Sequence, residues 1–229
     1  MMGLMTAFVL VHSPVTGPST WRWVAAELTA RGHQVFVPAV SAVSSWLEFA
    51  DAVADQVGPP ERAVLVGHSG AGPLLPQISA RVGAGTLIFV DADIPPDVDE
   101  ADLMPAEILT GLRAMAVDGL LPPWSEWFGP EVMGELVPDA ERRAVVASEL
   151  PRLPLSYYEA RVPAPAGWNA AAGGYILLSA EAYGGQAEAA AARGWPVVEL
   201  RGGHLDIVTR PEPIAAAIAE IAARLSPRR

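Results

Sequence analysis

The chain has 229 residues, 51% of them hydrophobic, a net charge of −11 and no cysteine. That length fits one domain with a large core, so acidic a surface without a basic stripe argues against nucleic acid, and the missing cysteine excludes disulfides and thiolate sites. No apolar run reaches membrane-spanning length, and the first residues lack the charged start and long apolar segment of a signal peptide, so a cytoplasmic monomer or homodimer is expected.

The first apolar stretch, Ala7–Val11, reads as a strand and runs into the turn His12-Ser13-Pro14. A helix is predicted over Trp21–Arg31, a strand over Gln34–Pro38 and a helix over Trp46–Gln56. The strand Arg62–Val66 then feeds Gly67-His68-Ser69-Gly70-Ala71, with a helix predicted over Gly72–Arg81. The strand Thr86–Val90 ends on Asp91 and Asp93. After the next predicted strand, Tyr175–Ser179, come Glu181 and a helix over Gln186–Arg193. The last strand, Pro196–Leu200, leads into Gly202-Gly203-His204, and a helix over Pro213–Leu225 closes the pattern. Strands of nearly continuous apolar character that alternate with helices predict an α/β fold with a doubly wound, mostly parallel six-stranded sheet. One interruption breaks the rhythm. Residues 94–173 show no convincing strand but hold helical candidates near Pro105–Val117 and Pro138–Glu149. So long a structureless loop is unusual, and the segment reads as a helical cap inserted over the carboxyl ends of the strands.

Ser69 lies where an apolar strand turns abruptly into a helix among small residues, the setting of a nucleophile elbow. A serine needs a base, and His204 lies in the loop after the last strand, on the same edge of the sheet. Two backbone N–H groups are needed for an oxyanion; Gly70 and Ser13 are the candidates, since Pro14 has none to donate. The acid that orients the histidine has three candidates, Asp91, Asp93 and Glu181. Asp91 is favoured because it ends a buried strand directly, where an unpaired carboxylate is costly. His12 and His68 stand beside these residues as candidate substrate contacts, although each also fits a structural role. Trp124, Trp127 and Tyr158 are the candidate pocket lining.

With Val11-His12-Ser13-Pro14 and Gly17, Gly67-His68-Ser69-Gly70-Ala71, and Gly203-His204, the chain resembles the compact bacterial α/β-hydrolases of the serine esterase or thioesterase type. It lacks the first two strands of the eight-stranded archetype, and Ala71 replaces the last glycine of the G-x-S-x-G pattern. The resemblance implies an acyl-serine mechanism on a small-molecule ester or thioester, a mobile cap, and no cofactor or metal. It also implies an acid after the fifth predicted strand, where Ala182 stands and Glu181 is one place short. An acid after the fourth strand is similar to a variant seen in lipases. Lactonase, acyltransferase and non-hydrolytic tailoring chemistry share this fold, as does a non-catalytic binding role.

Overall fold

The computed structural model describes residues 5–41, 43–58, 63–129 and 131–226. Its strands in chain order are β1 (Ala7–Val11), β2 (Gln34–Phe36), β3 (Val64–His68), β4 (Thr86–Val90), β5 (Glu100–Asp102), β6 (Arg161–Pro163), β7 (Ala172–Leu177) and β8 (Val197–Glu199). Its helices are α1 (Arg22–Ala30), α2 (Trp46–Val57), α3 (Leu75–Val82), α4 (Ala106–Met115), α5 (Val132–Leu136), α6 (Ala140–Ala147), α7 (Ala180–Ala192), α8 (Asp206–Thr209) and α9 (Pro211–Leu225).

Six strands form one sheet in the order β2-β1-β3-β4-β7-β8, and every pairing is parallel. The run Ala7–Val11 is apolar throughout because both sheet faces are covered. Phe8 and Leu10 pack with Trp21, Val24 and Leu28 of the α1 side and with Ile214 and Ile218 of α9. Val9 and Val11 point the other way, into the core formed with Phe49 and Val53 of α2 and Leu75 and Ile78 of α3. Among the described residues no helix is long and apolar enough to cross a membrane.

Several boundaries differ from the sequence reading. The strand read as starting at Arg62, a residue outside those described, spans Val64–His68 and thus carries Gly67 and His68 straight to Ser69. The helix expected from Gly72 is split into a 3-10 turn over Ser69–Leu74 and α3, because Pro73 and Pro76 lack the N–H that a continuous helix needs. Strand β7 begins three residues earlier than expected, inside the segment assigned to the cap. Its Gly173 looks like a turn residue but is a close-approach site, since a Cβ there would overlap the Trp195 ring. Helix α7 begins six residues earlier than predicted, its start disguised by Gly184 and Gly185.

The expectation that residues 94–173 hold no strand is overturned. Strands β5 and β6 pair antiparallel, with Ala101 opposite Val162. Val162 is their one buried side chain, and the exposed positions carry Arg161, which ion-pairs with Glu100 at 2.6 Å and Asp102 at 3.2 Å, so no apolar run announces them. The two expected helices appear as α4 and α6, joined by α5, which carries no clear periodic signal.

Candidate active site

Ser69 follows β3 directly and adopts φ 55°, a left-handed conformation that is strained for a residue with a Cβ. The turn is tight: a Cβ on Gly72 would overlap the backbone of Asp93. Ala71 is completely buried, and its small side chain fits where the usual motif has glycine. Ser69 itself is half-buried and opens into a cavity.

Parallel pairing of β4 with β7, with Val90 opposite Ile176, brings residue 91 to the chain at the end of β7. Asp91, fully buried and itself at φ 44°, uses this contact. Its Oδ1 accepts the backbone N–H groups of Leu178 at 2.8 Å and Ser179 at 3.0 Å. Its Oδ2 accepts the Ser179 hydroxyl and the Nδ1–H of His204, the latter at 2.9 Å. Burial alone pushes this carboxyl up. The bonds from His204 and Ser179 together with the two backbone N–H groups outweigh it and hold the group below the usual carboxylate range. A carboxylate can only accept, so Nδ1 of His204 carries the proton of this bond, which makes Nε2 the acceptor in the neutral tautomer. Asp206 shapes the turn that presents His204: it accepts from Gly203 N–H at 3.1 Å and from the Thr209 hydroxyl at 2.7 Å.

The other two acid candidates do not reach His204. Glu181 is exposed in the first turn of α7. Asp93 accepts Gln186 Nε2 at 2.9 Å at the rim of the cavity.

Two rings pack on His204: His68 at 4.5 Å, tilted by 34°, and Tyr183, stacked at 5.3 Å and 8°. Burial pushes the Tyr183 phenol up to about 12, while the nearby Ser69 hydroxyl opposes that rise. Among the described residues no hydrogen bond joins Ser69 to His204; such bonds commonly tighten only when substrate is bound. Ser179 and Tyr183 were not singled out from sequence. Ser179 reads as the last residue of a strand, and Tyr183 lies in a stretch that reads as loop.

His12 and His68, expected as substrate contacts, are buried behind the cavity and absent from its lining. Both act on loops. His68 Nε2–H donates to the His204 carbonyl at 2.8 Å, tying the His204 loop to the turn at Ser69. His12 Nδ1–H donates to the Ser13 carbonyl at 2.8 Å, and its Nε2 accepts from Val40 N–H at 3.3 Å. The Ser13 carbonyl also accepts Thr16 N–H at 2.9 Å and the Thr16 hydroxyl at 3.1 Å. Three donors on one carbonyl fix this peptide, while the Ser13 N–H has no protein acceptor among the described residues. Ser13 faces Gly70 across the elbow: a Cβ on Gly70 would lie 2.9 Å from Ser13 Oγ.

Burial pushes His68 down to about 3 and also lowers His12, so both rings are neutral in the fold. Unfolded histidines take up protons near 6.5. Below that pH the unfolded chain binds more protons, so stability falls as the pH drops from about 6.5 toward 4. Asp91 adds a loss of the same sign only at lower pH, as it protonates. The melting temperature is expected to decline across the first window, with a shallower slope in His68→Gln. An unchanged slope in that variant removes His68 as the source.

Ser69, Ser13 and Gly70 open into a cavity of about 610 Å3. The expected Trp124, Trp127 and Tyr158 line it, and so do Tyr157 and Phe128. Trp127 packs edge-on against Tyr158 at 6.0 Å, so the aromatic cluster of residues 94–171 forms one wall. Two buried hydroxyls on that lining, Ser13 Oγ and Tyr157 OH, have no hydrogen-bond partner among the described residues.

A family model described as "Alpha/beta hydrolase family" matches residues 8–217. No curated protein matches the sequence. Among solved structures, an extracellular alpha/beta-hydrolase from a Paenibacillus species superposes with a TM-score of 0.75 at 19% identity, covering 94% of this chain and 98% of that one. Tomato methylketone synthase I, solved with 2-tridecanone, gives 0.74 at 14% identity, covering 97% and 100%. A pyrethroid hydrolase from Sphingobium faniae JZ-2 gives 0.68 at 20% identity, covering 96% and 98%. At these identities the structural likeness establishes the fold alone. The family match over almost the whole chain goes further: this protein belongs to the alpha/beta hydrolase family.

Proposed function

We propose that the protein is a serine hydrolase that cleaves an ester or thioester of a largely apolar small molecule through an acyl-serine intermediate. One observation carries this reading: the buried Asp91–His204 hydrogen bond stands beside a strained Ser69 that opens into an aromatic-walled cavity. Ser69 Oγ attacks the carbonyl carbon as His204 Nε2 takes its proton. The N–H groups of Ser13 and Gly70 hold the oxyanion. The bond to the leaving alcohol or thiol then breaks, and that group takes the proton from His204. Water attacks the acyl-serine with His204 again as base, which releases the acid and restores Ser69. Asp91 keeps the imidazole in the required tautomer throughout. Residues 94–171 serve as a cap that excludes water, and Ser13 Oγ and Tyr157 OH are the polar points that orient the substrate. The pyrethroid hydrolase of the same fold supports an ester as the substrate class.

A second reading, non-hydrolytic tailoring in which Ser69 only donates hydrogen bonds, is favoured by the Ser69 hydroxyl having no hydrogen bond to His204 among the described residues. Intact-protein mass after treatment with a fluorophosphonate separates the two. The hydrolase reading expects one adduct, mapped to Ser69, and turnover of p-nitrophenyl esters that rises with acyl length until the cavity is filled. No adduct and no turnover sink it and favour the second reading.

A further inference from the structure

A second chamber of about 200 Å3 adjoins the active-site cavity and shares Pro73, Asp93, Leu103 and Pro105 with it. Its walls come from the elbow, the loop after β4 and the β5–β6 ribbon. Six of its fourteen lining residues are prolines: Pro73, Pro76, Pro95, Pro96, Pro105 and Pro163. Proline has no N–H, so this wall is rigid, apolar and poor in donors. Several N–H groups that remain are already used. Ile94 N–H donates to Gln186 Oε1 at 3.0 Å, Leu103 N–H to the Ala160 carbonyl and Ala164 N–H to the Asp99 carbonyl. The Gln186 amide, held through Ile94, presents its Nε2 to Asp93. The chamber thus offers acceptors and has little to donate.

Its charged groups are Asp93 and Asp102. Asp102 shares Arg161 with Glu100, at 3.2 Å and 2.6 Å, and its side chain is exposed. Asp93 has no cationic partner in a salt bridge among the described residues, and no arginine or histidine lines either chamber. Gln186 fixes one oxygen of Asp93 and leaves the other available.

We infer that this chamber is a second binding pocket, which takes an apolar group bearing a protonated amine and uses the Asp93 carboxylate as the counter-charge. The wall selects for donors, the prolines select for hydrocarbon, and Asp93, the chamber carboxylate without a paired cation among the described residues, selects for a cation over a neutral or anionic group. Asp93 keeps solvent exposure, yet partial desolvation pushes its carboxyl up, and a bound ammonium favours its ionised form. Because the two chambers meet at Pro73 and Asp93, an ester at Ser69 extends its amine-bearing half into this pocket. That last step rests on the hydrolase reading; the pocket's own preference does not.

The test is calorimetry on the intact protein at neutral pH with benzylamine, benzyl alcohol and benzoate, which share size and differ in charge. Benzylamine is expected to bind about tenfold more tightly than benzyl alcohol, and benzoate more weakly than either. Asp93→Asn is expected to erase the amine's advantage, and Ala164→Phe, which fills the chamber, to remove benzylamine binding. Equal affinities for amine and alcohol on the unmodified protein overturn the inference without any variant. An advantage that survives Asp93→Asn also overturns it and moves the amine to Glu107 in the larger cavity. Fluorophosphonate labelling of the same sample keeps the two readings apart. An adduct without amine preference sinks the pocket alone, and amine preference without an adduct sinks only the hydrolase reading.

Discussion

Ser69→Ala is expected to lose essentially all ester turnover, roughly 10⁴–10⁶-fold in kcat/KM by analogy with loss of other triad serines, and to keep its fold. Alanine retains the Cβ that the backbone already tolerates at φ 55°, so no new strain enters. The atom removed points into the cavity rather than the core, so the melting temperature should stay within a few degrees. Ser69→Gly sharpens the test. Glycine relieves the left-handed strain, about 1–2 kcal/mol by the usual cost of that conformation, against an entropic cost in the unfolded chain of similar or smaller size. An inactive Ser69→Gly that melts at or above Ser69→Ala identifies the elbow as a place where stability is given up for geometry. If Ser69→Ala hydrolyses esters as well as the unmodified protein, the proposed mechanism is wrong.

How much of this was legible beforehand depends on the force that holds each element. Strands β1 and β4 match the sequence reading residue for residue because each is an apolar run bounded by polar residues. Strand β3 was placed too early because Gly67 and His68 look like turn residues, yet both are buried strand. Strands β5 and β6 give no sequence signal because each is three residues long and their exposed positions carry Arg161 and two carboxylates, with Val162 alone buried. The chemical residues followed a similar rule. Ser69, Asp91 and His204 each sit at or just after a strand end, a position that chain order reveals. Ser179 and Tyr183 matter only through neighbours across the sheet and over the imidazole, relations that depend on tertiary packing. The histidines show the limit from the other side. His12 and His68 stand beside the reacting residues in sequence, but the strand pleat and the loop turn direct them inward, where they hold Ser13 and His204 by their carbonyls.

Asp91→Asn is expected to cost about 10²–10⁴-fold in kcat, the range for triads whose acid is neutralised, while Glu181→Gln changes little. The argument lies in the donors around residue 91. Two backbone N–H groups, from Leu178 and Ser179, point at Oδ1. An asparagine must therefore keep its carbonyl oxygen there and turn its NH2 toward Ser179 Oγ and His204 Nδ1. His204 can accept that NH2 only at an unprotonated Nδ1, which moves its proton to Nε2 and leaves no base for Ser69. The defect is one of tautomer, so binding should suffer less than turnover: kcat falls while KM changes little. The pH profile should respond as well, because raising the pH cannot remove a proton from a neutral imidazole and restore the base. Glu181, on the exposed first turn of α7, has no part in this network. The opposite ranking, with Glu181→Gln the more damaging, would put the acid after β7 and leave the Asp91–His204 bond a structural contact.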